Sequence, residues 1–433
     1  MLPGDFAITN LGSGRFDSPL NRSTVPGDGV GDYVRDDARV LHDVEFLAGE
    51  EVDPQLSLER AGARETIFFD PAQSKAAIVT CGGLCPGLNN IIRSIFFKLH
   101  SNYKVPEVWG IRYGYQGLNP QSGFPPIKLN GEFVQEIHKI GGTVLGSSRG
   151  PQDPARMVDW LDQAAINMLF CVGGDGTQRG AHAIAQEIRK RGIPISVVGI
   201  PKTIDNDIKY VWQTFGYATA LEKAREVIAC AHNEAKGAPN GIGLVKLMGR
   251  EAGFIAAGAS LASGQVNFTL IPEIPIPWDG PDGLLAKLER RIKIRHHAVI
   301  VVAEGAGQDL LSDAAQDVDA SGNQRLGDIG VFLKNEIGQH FSRLGWPVSI
   351  KYFDPSYHIR SVPANCTDSM LCDQMAEYAV HAAMAGKTDL LIGLWHNQFV
   401  HVPLALTTRI TKRLSSESDL WMAVLAATGQ NRY

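Results

Sequence analysis

From residue 74 onward the chain alternates short, unbroken apolar runs with longer stretches whose apolar residues recur at helical spacing. The run KAAIVTC, residues 75–81, predicts a buried strand. It leads into GGLCPGLNNIIRSIFFKLH, where Pro86 suits the first turn of a helix and Ile91, Ile92, Ile95 and Phe96 repeat with its period. EVWGIRYG then predicts a strand, MVDWLDQAAI a helix, NMLFCV a strand, TQRGAHAIAQEIRKRG a helix and PISVVGI a strand. The second half continues in the same manner. GIGLVKLMG, FTLIPEIPI and HAVIVVAEGAG predict strands, and REAGFIAAGASLASG, GLLAKLERRIKI and GVFLKNEIGQHF predict the helices that follow them. VSIKYFDPSYHIRS leads into a helix around MLCDQMAEYAVHAAMAG, and DLLIGLWHNQFVHVPL predicts a hairpin turning near His396-Asn397. Strands that are apolar throughout, alternating with amphipathic helices, imply mostly parallel sheets covered on both faces. The expected fold is α/β, with two Rossmann-like three-layer domains. Residues 1–70 are at first rich in Gly, Pro and Asp and weakly periodic, and predict an N-terminal arm, partly irregular.

Composition narrows the function classes. A formal net charge of −5 over 433 residues disfavours a nucleic-acid partner, which would need a basic surface. No run approaches the roughly 18 apolar residues of a membrane span. The start, MLPGDFAITN, carries no basic segment followed by an apolar one, so the expectation is a cytoplasmic protein without a secretory leader. The six cysteines are expected to be reduced and mostly buried, and their spacing does not suit a structural zinc site.

Three glycine-bearing strand ends suggest one site, because ligands of doubly wound sheets gather at the carboxyl ends of strands. The first is Gly82-Gly83, ahead of Pro86-Gly87, where glycine lets a backbone approach an anion and the next helix offers free N–H groups. A tight strand-to-helix turn would use the same glycines, and the pattern is not that of a dinucleotide redox fold. The second is Gly173-Gly174-Asp175-Gly176-Thr177. A carboxylate repels phosphate but can hold Mg²⁺, which takes one or two carboxylates and leaves substrate phosphates to complete its shell. Asp175 is thus the candidate metal residue, although a turn with a helix-capping aspartate would also account for Asp175 taken alone. The third is PKTIDND, residues 201–207. Lys202 can neutralise phosphate and Thr203 can donate a hydrogen bond. Asp205 and Asp207 alternate across a segment expected to be extended, so one can take a proton from a hydroxyl while the other supports a metal or orients a loop. Together the three ends point to phosphoryl transfer to a hydroxyl.

Taken in order with TCGGLCPGLNNIIR, GYQGL, GGTVLGSSRG, TFGYATA, VKLMGREAGF, AEGAG and DPSYHIR, these motifs make residues from about 65 to about 405 resemble a 6-phosphofructokinase. The resemblance is above all to the longer ATP-dependent subgroup of plants, trypanosomes and some bacteria. It implies phosphorylation of fructose 6-phosphate at the C1 hydroxyl with ATP and Mg²⁺. It also implies an arm over 1–70, a nucleotide-binding domain over 71–216 completed by about 360–415, a sugar-phosphate domain over 217–359 and a tail over 416–433. By the same resemblance Gly83, Arg149, Gly174, Asp175, Gly176 and Thr177 line the nucleotide and magnesium site. Asp205 is the base for the C1 hydroxyl, flanked by Thr203 and by Asp207 near the metal, with Lys202 beside the transferring phosphate. Arg250 steadies that phosphate. Met248, Gly249, Glu304, Tyr357 and Arg360 hold the sugar phosphate, and Lys351 stands where short bacterial enzymes supply an arginine from a neighbouring subunit.

The chain departs from the short bacterial pattern in several places. Tyr357 replaces a histidine, Lys351 lacks the bidentate fork of arginine, and a second arginine position falls near Gly241. A homotetramer is implied, with a dimer as the smaller alternative. An effector site would use Arg93 together with Lys293 and Arg295, but Phe97 stands where another arginine belongs. Gly176 matches ATP-dependent enzymes and Lys202 matches pyrophosphate-dependent ones. Gly176 decides for ATP, because an aspartate there would crowd and repel the α-phosphate. The alternatives are pyrophosphate as donor, an NAD or lipid kinase, and a catalytically dead nucleotide-binding subunit.

Overall fold

Three strands without a polar face lie side by side at the centre of the larger sheet: Lys75–Thr80, Met168–Gly173 and Ser196–Pro201. Every residue of the last two is buried. The computed structural model describes residues 3–311 and 325–431. The chain divides into two units, the first made of Met1–Thr203, Ile208–Gly216 and Val362–Thr411, the second of Ile204–Asp207, Tyr217–Ser361 and Lys412–Tyr433. Both are α/β.

The first unit carries a nine-stranded sheet. Leu390–Trp395 and Glu107–Ile111 extend the three central strands to five parallel ones. Antiparallel strands finish both sides. Ile127–Lys128 pairs with Glu107–Ile111, and Gln398–Pro403, Ser57–Arg60 and Arg39–Leu41 follow Leu390–Trp395. Residues 1–70 therefore supply two strands to this sheet. The hairpin Leu390–Pro403 turns at His396 and Asn397, both with positive φ (47° and 60°), as a two-residue turn matched to strand twist requires. Helices Leu88–Phe97, Pro154–Gln163, Asp175–Arg191 and Cys366–Met384 belong to this unit.

The second unit is built on four parallel strands in the order Phe268–Leu270, His297–Ala303, Gly241–Leu247, Ser349–Phe353. Helices Leu284–Arg295 and Ile329–Arg343 bury Leu288, Ile292, Leu333 and Ile337 in a core with Leu244 and Ile300 of the sheet. Several boundaries differ from the periodicity, two of them in this unit for clear reasons. FTLIPEIPI forms a strand only over Phe268–Leu270, because Pro272 has no amide hydrogen for a ladder and the chain turns. REAGFIAAG becomes helical only at Phe254, since both Glu273 carboxylate oxygens accept from the amide of Gly253, at 3.0 and 3.1 Å. Arg250 is thereby left in a loop at a strand end. Residues 416–433 contain the helix Asp419–Thr428, with Trp421 and Val424 buried. Cys81, Cys85, Cys171 and Cys372 are buried, Cys230 and Cys366 are exposed, and all six are free thiols.

A buried charge cluster fixes the strand Ser57–Arg60 to its neighbour. Glu59 Oε1 lies 3.1 Å from Arg64 Nη2, 3.2 Å from Lys387 Nζ and 3.0 Å from His401 Nδ1. Burial alone would raise its pKa, but His401, Lys387 and Arg64 outweigh that and bring it from 4.5 down to about 2. A depressed carboxylate pKa contributes stability that is present above its unfolded value and lost as pH falls through the folded one, here from 4.5 towards about 2. Glu59→Gln should lower stability by about 3 kcal/mol, the cost of leaving buried cations without their carboxylate. Melting curves at pH 7 measure this, and an unchanged melting temperature would contradict it.

Candidate active site

In the first unit the parallel register brings three strand ends together. Thr80 pairs with Val172, and Pro201 with Gly173. The chain after each strand is tied to the others. The Lys202 amide donates to the Gly173 carbonyl at 3.1 Å, and Lys202 Nζ donates to the Gly83 carbonyl at 2.7 Å. A fourth segment joins them, because the Gly82 amide donates to Ser148 O at 3.0 Å and Ser147 Oγ to Gly82 O at 2.6 Å. Arg149 follows this segment and is exposed. Gly83, Arg149, Gly174 to Thr177 and Lys202 are thus gathered at one end of one sheet. The Thr203 carbonyl accepts from Thr214 Oγ1 at 2.7 Å.

Helix Asp175–Arg191 begins with Gly174 as its cap, a residue with no side chain to bond the first N–H groups. Those groups and the helix dipole favour an anion. Asp175 occupies the first turn and is paired with Arg179 one turn later. The glycines before and after it have different reasons. A Cβ on Gly173 would stand 2.1 Å from Thr177 Oγ1, so that position admits only glycine. A Cβ on Gly176 would meet nothing closer than Arg179 Nη2 at 4.0 Å, so neither strain nor crowding within the protein demands glycine there.

The second unit assembles its own group. Ile204–Asp207 is not extended, because Asn206 has φ 54°. The expected alternation of Asp205 and Asp207 is therefore replaced by a bend between them, and the Asp207 carbonyl accepts from the Lys412 amide at 2.8 Å. Met248, Gly249 and Arg250 leave the end of strand Gly241–Leu247, and Glu304 leaves the end of its neighbour His297–Ala303. The two ends are stitched by Glu304 N to Leu247 O, 2.9 Å, and Gly305 N to Gly249 O, 3.1 Å. A Cβ on Gly305 would lie 1.7 Å from Arg250 O, so only glycine permits this approach. Burial raises the Glu304 pKa, and Arg250, Lys246 and Arg360 restrain the rise. Tyr357 is 71% exposed, with the Arg360 guanidinium 4.9 Å from its ring centroid.

Some expected residues stand apart. Lys351 lies on strand Ser349–Phe353 and lines a groove with Cys230, Asn233 and Glu234. Arg93 Nε donates to Gln135 O at 3.2 Å and its guanidinium covers the Phe97 ring at 4.9 Å. Lys293 and Arg295 sit exposed at the end of helix Leu284–Arg295. Two residues not expected from the sequence as site residues brace the strand ends. Buried Gln178 donates from Nε2 to Gly173 O (2.7 Å) and Ile200 O (3.2 Å), bracing two strand ends, and Tyr115 Oη donates to Thr177 O at 2.7 Å. A polar residue at a helix position facing the sheet was the available signal for Gln178.

The phosphofructokinase family model matches residues 75–383. An ATP-dependent 6-phosphofructokinase of Borreliella burgdorferi is 46% identical, the match covering 98% of this chain and 97% of that protein. Its counterpart in Trypanosoma brucei brucei is 47% identical over 86% of this chain and 76% of its own length. The crystal structure of a pyrophosphate-dependent phosphofructokinase from Marinobacter aquaeolei superposes with a TM-score of 0.68 at 20% identity, covering 82% of this chain and 91% of that one, which is a likeness of fold. With a family match over most of the chain and near half-identity end to end, the chain belongs to the phosphofructokinase family.

Proposed function

We propose that the protein transfers the γ-phosphoryl group of ATP to the C1 hydroxyl of fructose 6-phosphate, giving fructose 1,6-bisphosphate, ADP and a proton. The observation that carries this reading is the gathering of Gly83, residues 174–177 and Lys202 at the carboxyl ends of three adjacent parallel strands, beside a helix N-terminus whose cap is glycine. Such an end receives phosphates. Asp205 takes the proton of the C1 hydroxyl as its oxygen attacks. Arg250 and Lys202 balance the charge on the phosphoryl group in flight, and Thr203 donates to it. Met248, Gly249, Glu304, Tyr357 and Arg360 hold the sugar phosphate, with Arg149, Gly83 and Thr177 on the nucleotide. Lys351 is assigned to the sugar phosphate of a neighbouring copy.

Among the described residues no group of three or more His, Cys, Asp or Glu is placed to hold a metal. An ion here would lean on substrate oxygens, which suits Mg²⁺. Asp175, partly exposed at a helix start, is a fitting oxygen donor for it, and Asp207 is the second carboxylate assigned. Bound Mg²⁺ would neutralise phosphate charge. We assign the protein to the cytoplasm, as a homotetramer, with a dimer as the smaller alternative. Light scattering should give the mass of four chains, and a monomer would overturn this.

Asp205→Ser should lower kcat by roughly two orders of magnitude or more, as loss of a general base does, with nucleotide binding retained. A coupled assay with fructose 6-phosphate measures it, and near-normal turnover would remove Asp205 from its role. The donor is settled by the same assay with ATP and pyrophosphate side by side. ATP should be the faster donor, because Gly176 leaves open space that a nucleotide's α-phosphate and ribose need. Gly176→Asp should raise the KM for ATP by about tenfold or more by placing a like charge beside phosphate. Lys202→Gly should slow turnover more than it weakens ATP binding. A wild-type enzyme faster with pyrophosphate would contradict the reading of Gly176.

A further inference from the structure

We infer that Lys246 is a positioning residue for the sugar-phosphate half of the reaction, holding the loop of Tyr357 and Arg360 against the strand end that carries Met248, Gly249 and Arg250. The inference rests on the function proposed above, which assigns those residues to the sugar phosphate.

Lys246 is the next-to-last residue of strand Gly241–Leu247, and its side chain is only 13% exposed. Its ammonium lies 2.9 Å from Asp354 Oδ2 and 3.1 Å from Asp328 Oδ1. Each carboxylate has a second task. Asp328 caps helix Ile329–Arg343, accepting from the amides of Gly330 and Val331 at 3.1 Å. Tyr352 Oη donates to the same oxygen at 3.5 Å. Asp354 accepts from the amide of Ser356 at 3.3 Å and from its hydroxyl, so it sets the first turn of the loop. From there the chain coils back on itself, with His358 N to Pro355 O at 2.7 Å and Ser361 N to Tyr357 O at 3.1 Å. Ile359 is fully buried and fastens the far side of the loop. Asp354 fastens the near side, and its lysine partner among the described residues is Lys246.

The charges exclude a direct ligand role. One ammonium between two carboxylates leaves the cluster at net −1, which repels a sugar phosphate. Lys246 acts instead through Asp354. Removing it would leave Asp328 and Asp354 facing each other around a vacated point about 3 Å from each, and like charges at that range push apart. The loop would move away from the strand end, taking Tyr357 and Arg360 with it. Arg360 would move with Tyr357, since its guanidinium lies 4.9 Å from the Tyr357 ring centroid.

The test is steady-state kinetics of full-length wild type and Lys246→Met, varying fructose 6-phosphate and ATP separately, with melting curves on both. Lys246→Met should raise the KM for fructose 6-phosphate by about tenfold or more, leave the KM for ATP within about twofold, and lower kcat by less than KM rises. Lys246→Arg, which keeps the cation, should restore the KM to within about threefold of wild type. Should Lys246→Met fail to fold, Asp354→Asn keeps the Lys246–Asp328 pair and should shift the same KM. A folded variant of either kind with an unshifted KM for fructose 6-phosphate overturns the inference, as does an equal loss towards both substrates. Wild type that leaves fructose 6-phosphate untouched overturns the proposed function and this inference together, whereas active wild type with an unshifted variant overturns the inference alone.

Discussion

The register of three buried parallel strands sets the geometry of the first unit's glycine-rich strand ends. With Thr80 opposite Val172 and Pro201 opposite Gly173, the strands end level, and the three segments that follow emerge at one height. A slip of a single residue in a strand turns every side chain to the other face. Here both faces are apolar and covered, so hydrophobicity alone would resist a slip weakly. The lock comes from the ends. Gln178 bonds the carbonyls of Gly173 and Ile200 at once, Lys202 reaches Gly83, and Thr177 closes over Gly173 with no room for a Cβ. Polar contacts at the rim therefore fix what the core leaves loose, and the same contacts shape the glycine-rich ends.

The second unit solves a similar problem with glycine and charge. Two adjacent strands end in loops that approach so closely that Gly305 admits no side chain against Arg250 O. Glu273 holds Gly253 and keeps Arg250 to Ala252 out of the helix that their sequence would favour. The outcome is a half-buried glutamate, Glu304, whose proton affinity is raised by desolvation and restrained by Arg250, Lys246 and Arg360. Such a group is costly to keep charged without those cations, so its neighbours are chosen by electrostatics as much as by shape.

The sequence made the central strands legible because strands covered on both faces are unbroken apolar runs, as in Met168–Gly173 and Ser196–Pro201. The glycine-rich ends were legible because few other reasons put Gly, Asp and Thr at such places. Helix limits shifted where caps overruled periodicity, as at Asp153 and Gly253. The arm's strands escaped notice because they are two to four residues long and gain their partners from residues such as Val400 and His401, far along the chain. The bend at Asn206 was hidden because alternating aspartates read as an extended segment, although asparagine tolerates the left-handed region better than most residues. Lys246 could not be read at all, since Asp328 lies 82 residues further on and Asp354 further still.

The nine-stranded sheet closes on one side with Arg39–Leu41 and on the other with Ile127–Lys128. A parallel sheet of five apolar strands would otherwise offer rows of unpaired amides and carbonyls to any passing chain. Here the outermost ladder on each side is only three or two residues long, and each carries a cationic side chain, Arg39 and Lys128, in an exposed position. A foreign strand finds almost nothing to pair with. The antiparallel margins thus act as a guard against fibrous self-association, and they let the interior strands remain as hydrophobic as the site at their ends requires.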